Sequence, residues 1–399
     1  MTNSTPQRIV IVGASLAGLR GAQALREFGF DGALTLLGEE PHLPYDRPPL
    51  SKQLLAGEQE PADIRLRGVD ALNARLILGD RAVALDTAQG TLTTASGEVL
   101  RWDRLLLATG SRPRRLPVLD TRLEGVHELR TLEDALALRA ALADRPRLVI
   151  VGAGFIGIEV AATARNLGLE VEVVTLDPPL APAGPLISSF VTTLLDEQGI
   201  GLRQGRTVVR VLGTSRAERL ELDDGSTIEA DLVLSAVGVR PAVDWLAGSG
   251  VILDDGVVCD PWCAVLGVPG VAAAGDVAHW PHPGFGPGSI RIEHWNNAAE
   301  QARTAANTLL RGSGHGPPYA PVPSFWSDHF GLRLQSIGLP ALGTEHELHE
   351  GDPAERRFVV AARRDGRLVG SCAYGRPRAL LALRREFEAE AKPPVAPVR

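Results

Sequence analysis

Short apolar runs that end in glycine turns occur twice along the chain, in the same order. In both copies a mostly β-branched run precedes a Gly-x-Gly/Ser-x-x-Gly turn and a helix-compatible stretch rich in small residues. The copies are residues 8–12 with Gly13, Ser15 and Gly18, then 19–28, and residues 147–151 with Gly152, Gly154 and Gly157, then 158–167. Such runs are typical of strands buried in a parallel sheet. The pattern predicts two strand–turn–helix units.

Each unit also closes in the same way, with an apolar strand followed by glycine and Arg-Pro, at residues 105–113 and 232–241. A third strand signal, 270–276, precedes a helical pattern over 297–310. We therefore expect two related α/β domains, each built on a parallel sheet.

The pattern changes after a Gly/Ser/Pro tract at 311–318, which we interpret as a linker. Apolar runs at 333–337, 357–362 and 367–374, separated by turn residues, predict an antiparallel sheet, and a helix is expected over 377–391. The fold class is therefore α/β, with two Rossmann-like dinucleotide-binding domains plus a C-terminal α+β domain with an antiparallel sheet.

The glycine turns predict two nucleotide sites. In a strand–turn–helix unit of this kind, backbone N–H groups and the helix N-terminus can approach a pyrophosphate closely. The second fingerprint is complete, whereas Ser15 replaces the middle glycine of the first. One such turn has an alternative explanation in tight strand–helix packing without a ligand, but two at the start of duplicated units favour bound dinucleotides.

An acidic residue after the next strand would accept hydrogen bonds from ribose hydroxyls. The first unit has Glu39 there, but the second has Thr175, with Asp177 two residues later. Between Asn166 and Arg203 the chain has no basic residue that could pair with a 2′-phosphate. NADH is therefore favoured over NADPH, with Asp177 or the Thr175 hydroxyl as the ribose partner.

Composition narrows the function classes. The 399 residues suggest two to three domains, and a net charge of −7 gives no bulk reason to bind nucleic acid. No stretch approaches the roughly 20 apolar residues of a membrane span, and the first residues lack the apolar core of a signal peptide. With only three cysteines, we expect a cytoplasmic protein. His279, His282, His294 and His315 lack metal-ligand spacing, so no metal site is expected.

The basic residues are strongly skewed, because only Lys52 and Lys392 are lysines among 41 lysines and arginines. A genome-wide codon bias explains the skew itself. It leaves open whether Lys52 is a chance surface residue or a position that requires an ammonium group.

Lys52 ends the segment Pro41-His-Leu-Pro-Tyr-Asp-Arg-Pro-Pro-Leu-Ser-Lys52. Together with the two fingerprints and the motifs Leu-Ala-Thr109-Gly110, Leu-Arg130-Thr-Leu-Glu-Asp, Ala-Gly275-Asp276-Val, Arg291-Ile-Glu-His-Trp295-Asn-Asn-Ala and Phe-Trp326-Ser-Asp, it resembles the ferredoxin reductases that contain FAD. These are the putidaredoxin, rubredoxin and aromatic-dioxygenase ferredoxin reductases of the pyridine nucleotide-disulfide oxidoreductase superfamily. The resemblance covers nearly the whole chain.

The resemblance implies a glutathione-reductase-like arrangement of three domains. Residues 1–114 and 243–316 would form a discontinuous FAD domain, 115–242 an inserted NAD domain and 317–399 the C-terminal domain. It also assigns cofactor contacts by position. Those implied for FAD are Gly13, Ser15, Leu16, Ala17, Gly18, Glu39, Arg47, Lys52, Ala82, Thr109, Gly110, Arg130, Gly275, Asp276 and Trp295. Those implied for NAD are Gly152, Gly154, Phe155, Ile156, Gly157, Glu159, Thr175, Asp177 and Gly238.

The implied chemistry is a hydride relay, in which Lys52 and Glu159 resemble the catalytic ion pair that this family places near flavin N5. Residues 39–55 contain no cysteine, so the redox thiols of the disulfide reductases, and the single thiol of the NADH oxidase and coenzyme A-disulfide reductase branch, are missing. Cys259 and Cys263 are interpreted as packing residues. The flavin would then pass electrons directly to an external one-electron acceptor.

That acceptor would be a small iron–sulfur ferredoxin serving a cytochrome P450 or a Rieske-type oxygenase. By resemblance it docks near Trp326, which is alternatively a plain core aromatic residue. A local patch with candidates Arg65, Arg67, Arg291, Arg303 and Arg311 would steer it. The alternatives are an NADH oxidase or monodehydroascorbate-type reductase of the same fold, and a redox-signalling flavoprotein similar to apoptosis-inducing factor. The chain is expected to be a monomer or a homodimer.

Overall fold

A computed structural model describes residues 6–121 and 123–390. The described residues exclude 1–5, Arg122 and 391–399. Lys392 and the last residue of the predicted C-terminal helix therefore lie outside them, as do the first residues, which we expected to lack a signal peptide. The chain forms two compact units. Unit 1 comprises Met1–Asp46, Ile64–Arg112 and Arg240–Pro323, and unit 2 comprises Arg47–Asp63, Pro113–Val239 and Ser324–Arg399.

The helices and strands are numbered in chain order. The α-helices are α1 Leu16–Glu27, α2 Leu132–Leu142, α3 Phe155–Asn166, α4 Pro185–Glu197, α5 Trp295–Arg311 and α6 Pro377–Glu390. The strands are β1 Arg8–Val12, β2 Ala33–Gly38, β3 Arg75–Leu78, β4 Ala82–Asp86, β5 Thr91–Thr94, β6 Val99–Arg101, β7 Arg104–Leu107, β8 Ser111–Pro113, β9 Val126–Glu128, β10 Leu148–Val151, β11 Val171–Thr175, β12 Gly201–Gln204, β13 Val208–Leu212, β14 Arg219–Leu222, β15 Thr227–Glu229, β16 Leu232–Ser235, β17 Val239–Pro241, β18 Val257–Val258, β19 Val271–Ala273, β20 Ala278–Pro281, β21 Ser289–Ile290, β22 Ser324–His329, β23 Leu332–Gly338, β24 Glu345–Asp352, β25 Arg357–Arg364 and β26 Arg367–Tyr374.

Unit 1 is built on a five-stranded parallel sheet in the order β19-β7-β1-β2-β3. Its central strands form because their apolar runs are buried on both faces, and Ile9 and Ile11 are fully buried. Helices α1 and α5 pack against each other in this unit. A three-stranded antiparallel sheet, β4-β5-β6, and a second small sheet, β18-β20-β21, complete it.

Unit 2 repeats the plan with a second parallel sheet, in the order β12-β11-β10-β16-β9. The residues of β10 are all buried, as its β-branched run predicts. A three-stranded sheet, β13-β14-β15, follows the strand β12. Two parallel sheets with alternating helices confirm the predicted pair of Rossmann-like folds.

The C-terminal part of unit 2 is an antiparallel sheet in the order β22-β23-β26-β25-β24, followed by α6, which confirms the α+β prediction. The apolar runs predict only β23, β25 and β26. The edge strand β24, with sequence Glu-His-Glu-Leu-His-Glu-Gly-Asp, is almost entirely exposed, so its strand conformation leaves no apolar pattern in the sequence.

Predicted and observed helix boundaries differ at the glycine turns. Helix α1 begins at Leu16 and α3 at Phe155, in both cases three residues earlier than the helical patterns indicate, because the last glycine of each turn lies inside the first helical turn. Helix α5 likewise begins at Trp295 and ends at Arg311. None of the described helices is both long and apolar enough to cross a membrane.

Candidate active site

The first glycine turn, in unit 1, is shaped by the protein itself. Gly13 has a φ of 117°, and a Cβ there would overlap the carbonyl oxygen of Ala108. A Cβ on Gly18 would overlap the carbonyl oxygen of Gly13. Ser15 is the N-cap of α1, but its side chain makes no capping hydrogen bond to the helix. The first N–H groups of α1, from Leu16 and Ala17 onward, therefore face an open N-terminus that can take a phosphate.

The carboxyl ends of β1, β7 and β19 bring further predicted residues to the same edge of the sheet. The Thr109 hydroxyl donates to the carbonyl of Ala242 at 2.9 Å, and the Ser111 hydroxyl donates to the Asp276 carboxylate at 2.6 Å. Gly275, with φ of 80°, lies so close to α1 that a Cβ would be 3.2 Å from the Ala17 Cβ. Ligands of open α/β sheets bind at such an edge.

The other residues assigned to FAD within unit 1 are more dispersed. Glu39 follows β2 and forms an exposed ion pair with Arg112 at 2.6 Å. Ala82 is buried at the start of β4. Trp295 begins α5, and its indole N–H donates to the Asp46 carboxylate at 2.6 Å. Gly110 joins β7 to β8 and has a φ of 69°.

The second glycine turn, in unit 2, contains one glycine that neither the backbone conformation nor the packing of the turn requires. A Cβ on Gly152 would overlap the carbonyl oxygen of Ala236, and one on Gly157 would overlap that of Gly152. Gly154 has a φ of −73°, and a Cβ there would meet no atom of the described residues within 4 Å. Neither backbone conformation nor packing explains this glycine. An open space above the N-terminus of α3, at Phe155 and Ile156, fits a pyrophosphate.

The far end of this site lies where β11 ends at Thr175. The Thr175 hydroxyl donates to the carbonyl of Asp177 at 2.9 Å, and the Thr175 carbonyl accepts the backbone N–H of Arg206 at 3.2 Å. Arg206 reaches this position because β12 is the parallel neighbour of β11. At the end of β16, Gly238 has a φ of 91° and accepts the N–H of Arg114.

Lys52 and Glu159 form a buried ion pair in unit 2. Lys52 Nζ lies 2.8 Å from Glu159 Oε2, and the two side chains are 12% and 8% exposed. Two hydroxyls also donate to the same carboxylate, Ser51 at 2.5 Å and Ser327 at 2.8 Å. Thr163, one helical turn after Glu159, donates to the Ser51 carbonyl at 2.8 Å. Three segments distant in sequence thus hold one carboxylate in a fixed position.

The segment that carries Lys52 is anchored on both sides. The Arg47 guanidinium donates to the carbonyl of Arg130, just before α2. Asp134 accepts the N–H groups of Arg130 and Thr131, and Thr131 caps α2 in return. This reciprocal capping box fixes the backbone at Arg130, and through it the orientation of Arg47.

A cavity of about 530 Å³ opens beside Lys52. Its lining includes Lys52, Thr163, Asn166, His329, Phe330 and Arg333. His329 is 3% exposed, and its Nε2 lies 2.7 Å from the Tyr374 hydroxyl. The cavity gives the Lys52 ammonium a route to solvent, and His329 forms part of its wall.

The ionisation of His329 predicts how stability depends on pH. Burial lowers the pKa of His329 to about 4, and the Lys52 charge adds to this effect while Asp328 opposes it. Because the pKa is lower in the folded state, the unfolded state binds the proton first as the pH falls below about 6.5. The contribution of His329 to the free energy of unfolding is fully present above that pH and is lost between pH 6.5 and 4.

Between pH 7.5 and 5 the free energy of unfolding should therefore fall in the unmodified protein, and in the His329→Gln variant it should fall by about 2 kcal/mol less. Urea titrations at several pH values measure this slope. Burial also lowers the pKa of His294 to about 4, so part of the dependence remains in the variant. Identical slopes for the two proteins would show that His329 does not titrate in this way.

All three cysteines of the chain are buried and free. Burial raises the pKa of Cys259 and Cys372 to about 12 and that of Cys263 well above its usual value. A thiolate is the reactive form of cysteine, so none of the three is suited to thiol redox chemistry. Among the described residues, no group of three or more histidine, cysteine or acidic side chains is arranged to hold a metal ion.

Several arginines share one exposed surface of unit 1, along α1. Gln23 accepts from Arg20 at 2.8 Å and donates to the Arg67 carbonyl at 3.0 Å. One turn further, Glu27 pairs with Arg303, and the Arg303 and Arg311 guanidinium groups lie 4.7 and 5.6 Å from the Phe28 ring centre. We call this surface, formed by Arg20, Arg67, Arg303 and Arg311, the arginine face.

Arg291 and Trp326 are two further predicted docking residues. The Arg291 side chain is only 9% exposed, because its guanidinium binds Asp255 and Glu293, so it is not a surface cation. Trp326 lies half-buried in β22, in unit 2, opposite Gln335 of β23.

Sequence reasoning missed two kinds of site residue. Ser51 and Ser327 both fall inside recognised motifs, next to Lys52 and Trp326, yet only the structure shows that their hydroxyls hold Glu159. Arg206 follows the stretch between Asn166 and Arg203 that lacks basic residues, and it lies just beyond the end of the neighbouring strand β12. The order of strands in a Rossmann-like sheet is the signal that could have found Arg206.

Comparisons with known proteins agree with this fold. A family model described as pyridine nucleotide-disulphide oxidoreductase matches residues 7–302, and one described as reductase C-terminal matches residues 324–399. Rhodocoxin reductase of Rhodococcus erythropolis is 36% identical over 390 residues, which are 96% of this chain and 90% of that protein. The ferredoxin–NAD(+) reductase component of the biphenyl dioxygenase system of Paraburkholderia xenovorans is 37% identical over 359 residues, 89% of this chain and 86% of that protein.

A solved structure of similar fold is the reductase in the covalent putidaredoxin reductase–putidaredoxin complex. It superposes with a TM-score of 0.90 at 31% sequence identity, covering 96% of this chain and 93% of that one.

Proposed function

Because this chain belongs to the pyridine nucleotide-disulphide oxidoreductase family, whose relatives here are ferredoxin reductases, we propose that it is an FAD-dependent NADH:ferredoxin oxidoreductase. Its partner would be a small iron–sulfur ferredoxin that serves a cytochrome P450 or a Rieske-type oxygenase. The balanced reaction takes one NADH and two oxidised ferredoxins to NAD⁺, two reduced ferredoxins and one proton. The putidaredoxin bound in the similar solved structure supports a ferredoxin partner, and the biphenyl dioxygenase system of one relative supports service to an oxygenase.

The observation that carries this proposal is the state of the thiols. The chain has two glycine turns of the kind that bind nucleotides, but its three cysteines are buried and their pKa values are raised. A disulfide relay needs a reactive thiolate, so electrons would leave for an external acceptor instead. When bound, FAD accepts a hydride and can give up its electrons one at a time, as a one-electron acceptor requires.

We assign the cofactors to the residues that the resemblance implies. FAD would take the turn Gly13–Gly18, with the edge formed by Thr109, Gly110, Gly275 and Asp276. Its other contacts would be Glu39, Ala82, Trp295, Arg47, Lys52 and Arg130. NAD would take Gly152–Gly157, Thr175, Asp177 and Gly238. The domains would be 1–114 with 243–316, 115–242 and 317–399.

Lys52 and Glu159 are proposed as the catalytic pair. The ammonium would place a positive charge beside a ring that becomes more negative on reduction, and Glu159 would orient it. The hydroxyls of Ser51 and Ser327 would keep the carboxylate fixed, so that the pair does not reorganise during the reaction.

A preference for NADH over NADPH rests on the end of β11. Thr175 and Asp177 offer a hydroxyl, a carbonyl and a carboxylate, which suit ribose hydroxyl groups and disfavour a phosphate. Arg206, whose backbone N–H bonds the Thr175 carbonyl, is already paired with Asp224 at 2.8 Å.

Ferredoxin would be attracted by the arginine face. Long-range attraction between a basic surface and an acidic partner mainly raises the association rate and falls with ionic strength. The net charge of −7 does not oppose this, because Arg20, Arg67, Arg303 and Arg311 are clustered locally.

Arg303→Ala is therefore expected to lower kcat/KM for ferredoxin about threefold at low salt and to weaken its dependence on ionic strength. The matched control is Arg75→Ala, which removes an equally exposed arginine from an ion pair with Glu98 elsewhere in unit 1. The measurement is ferredoxin reduction across a salt series, with ferricyanide as an acceptor that needs no docking surface. Equal losses for both variants would argue against the arginine face.

The proposed function is tested by anaerobic reduction of purified [2Fe–2S] ferredoxins with NADH. We expect ferredoxin reduction to be much faster than NADH consumption with oxygen alone. Rapid NADH oxidation by oxygen that no ferredoxin accelerates would identify an oxidase instead. Slow flavin reduction with a long-lived charge-transfer complex would indicate a signalling flavoprotein.

A further inference from the structure

An acidic turn lies against the loop that borders the end of β11. The turn joins β14 to β15 and contains Asp223 and Asp224, and the loop is 205–207, between β12 and β13. Asp223 accepts the backbone N–H of Thr207 at 3.2 Å and donates its own N–H to the Thr207 carbonyl at 3.0 Å. The two segments are thus fastened together beside Thr175.

Within this contact, Asp224 holds the side chain of Arg206. Arg206 Nε lies 2.8 Å from Asp224 Oδ2, with the two side chains 43% and 34% exposed. Asp224 is oriented by Ser226, whose N–H and hydroxyl donate to its Oδ1 at 3.0 and 2.6 Å. The backbone N–H of Arg206 is the group that bonds Thr175. The arginine therefore starts at the ribose end of the nucleotide site, and its charge is bound by a fixed carboxylate.

A second arginine near this edge is neutralised in the same way. Arg203 Nε lies 2.5 Å from Glu172 Oε1, so Arg203 also has its own carboxylate. Arginine is the side chain best suited to bind a phosphate by two parallel hydrogen bonds. An unpaired arginine at the end of β11 would favour a nucleotide with a 2′-phosphate, whereas an arginine already paired with a carboxylate does not offer its guanidinium to the phosphate.

We propose that Asp224 is a specificity-determining residue: it sequesters the guanidinium of Arg206, whose backbone N–H bonds Thr175, so that the site selects a free ribose 2′-hydroxyl over a 2′-phosphate. This deepens the proposed function and rests on its assignment of the nucleotide to the second glycine turn. Asp224 itself touches no nucleotide in this account, because it acts through Arg206.

The test compares the binding of 5′-AMP and 2′,5′-ADP by calorimetry, which needs neither hydride transfer nor ferredoxin. Asp224→Asn keeps the size of the side chain and is expected to shift the affinity ratio toward 2′,5′-ADP by roughly fivefold to tenfold. The double variant Asp224→Asn/Arg206→Ala is expected to lose that shift. Glu221→Gln is the matched control, because it frees Arg210 from an ion pair in the same small sheet, away from Thr175.

The outcomes separate this proposal from the function itself. An unchanged ratio in Asp224→Asn, or an undiminished shift in the double variant, would overturn the role of Asp224. A preference of the unmodified protein for 2′,5′-ADP would also overturn it, because Arg206 would then not be neutralised. A failure to reduce any ferredoxin with either nucleotide would instead overturn the proposed acceptor and leave these binding ratios intact.

Discussion

Lys52→Met is expected to slow hydride transfer from NADH by about 100-fold to 1,000-fold, the usual effect of removing one pre-organised donor from an active site. The same change leaves the buried Glu159 carboxylate without its cation. Because both side chains are about nine-tenths buried, the loss of unfolding free energy should be about 3 kcal/mol. Stopped-flow measurement of flavin reduction at saturating NADH separates the rate from nucleotide binding.

Lys52→Arg tests whether charge alone is sufficient. A guanidinium is planar and larger than an ammonium, and it presents donors in a fixed fork rather than a compact point charge. Glu159 already accepts two hydroxyls besides Lys52 Nζ, so little room remains to reposition it. We expect this variant to fold and to bind flavin, with hydride transfer slowed at least tenfold. Flavin reduction at the unmodified rate would contradict this expectation.

The double variant Lys52→Met/Glu159→Gln distinguishes a structural loss from a catalytic one. Removing both charges leaves no uncompensated ion in the protein interior, so most of the lost stability should return. The rate of hydride transfer should not return, because the positive charge is still missing. Recovery of the rate together with the stability would mean that the pair only supports the fold.

The repeated pattern of apolar runs and glycine turns was enough to predict both parallel sheets. Each run is buried on both faces, so its composition alone identifies the strand. The polar strand β24 could not be predicted in this way, because an exposed edge strand needs no apolar alternation and is formed by pairing with β25. Helices α1 and α3 begin earlier than predicted because the last glycine of each turn is a helical residue, although glycine normally disfavours a helix.

Spacing along the chain predicts the candidate site only where one sequence segment carries it, and the ion pair of Lys52 with Glu159 was expected only from the family resemblance. Gly152 to Gly157 form a local motif, so their geometry follows from their spacing. The network around Glu159 combines residues 51, 159 and 327, and the pairing of Arg206 with Asp224 depends on which turn lies beside β12. Such contacts are set by the order of strands and by side-chain orientation. No spacing along the chain encodes them, and they are also the contacts that the proposals on catalysis and specificity use.

Gly154→Ala is expected to raise the KM for NADH by about 10-fold to 100-fold while leaving the fold intact. A φ of −73° is ordinary for alanine, and the added Cβ would meet no described atom within 4 Å, so the free energy of unfolding should change by less than about 0.5 kcal/mol. The new methyl group would occupy the space that we assign to the pyrophosphate of NAD. Steady-state kinetics measure the KM, thermal melts measure the stability, and flavin content shows whether the FAD site is unaffected.

Gly157→Ala provides the control, because the two substitutions add the same methyl group to the same turn. At Gly157 a Cβ would overlap the carbonyl oxygen of Gly152, so either the helix α3 or the turn must shift, and stability should fall by a few kcal/mol. A turn that exists only to pack strand against helix would lose stability at Gly157 and nothing at Gly154. A large rise in KM at Gly154 without loss of stability therefore requires a ligand at this turn, and an unchanged KM would remove the nucleotide from it.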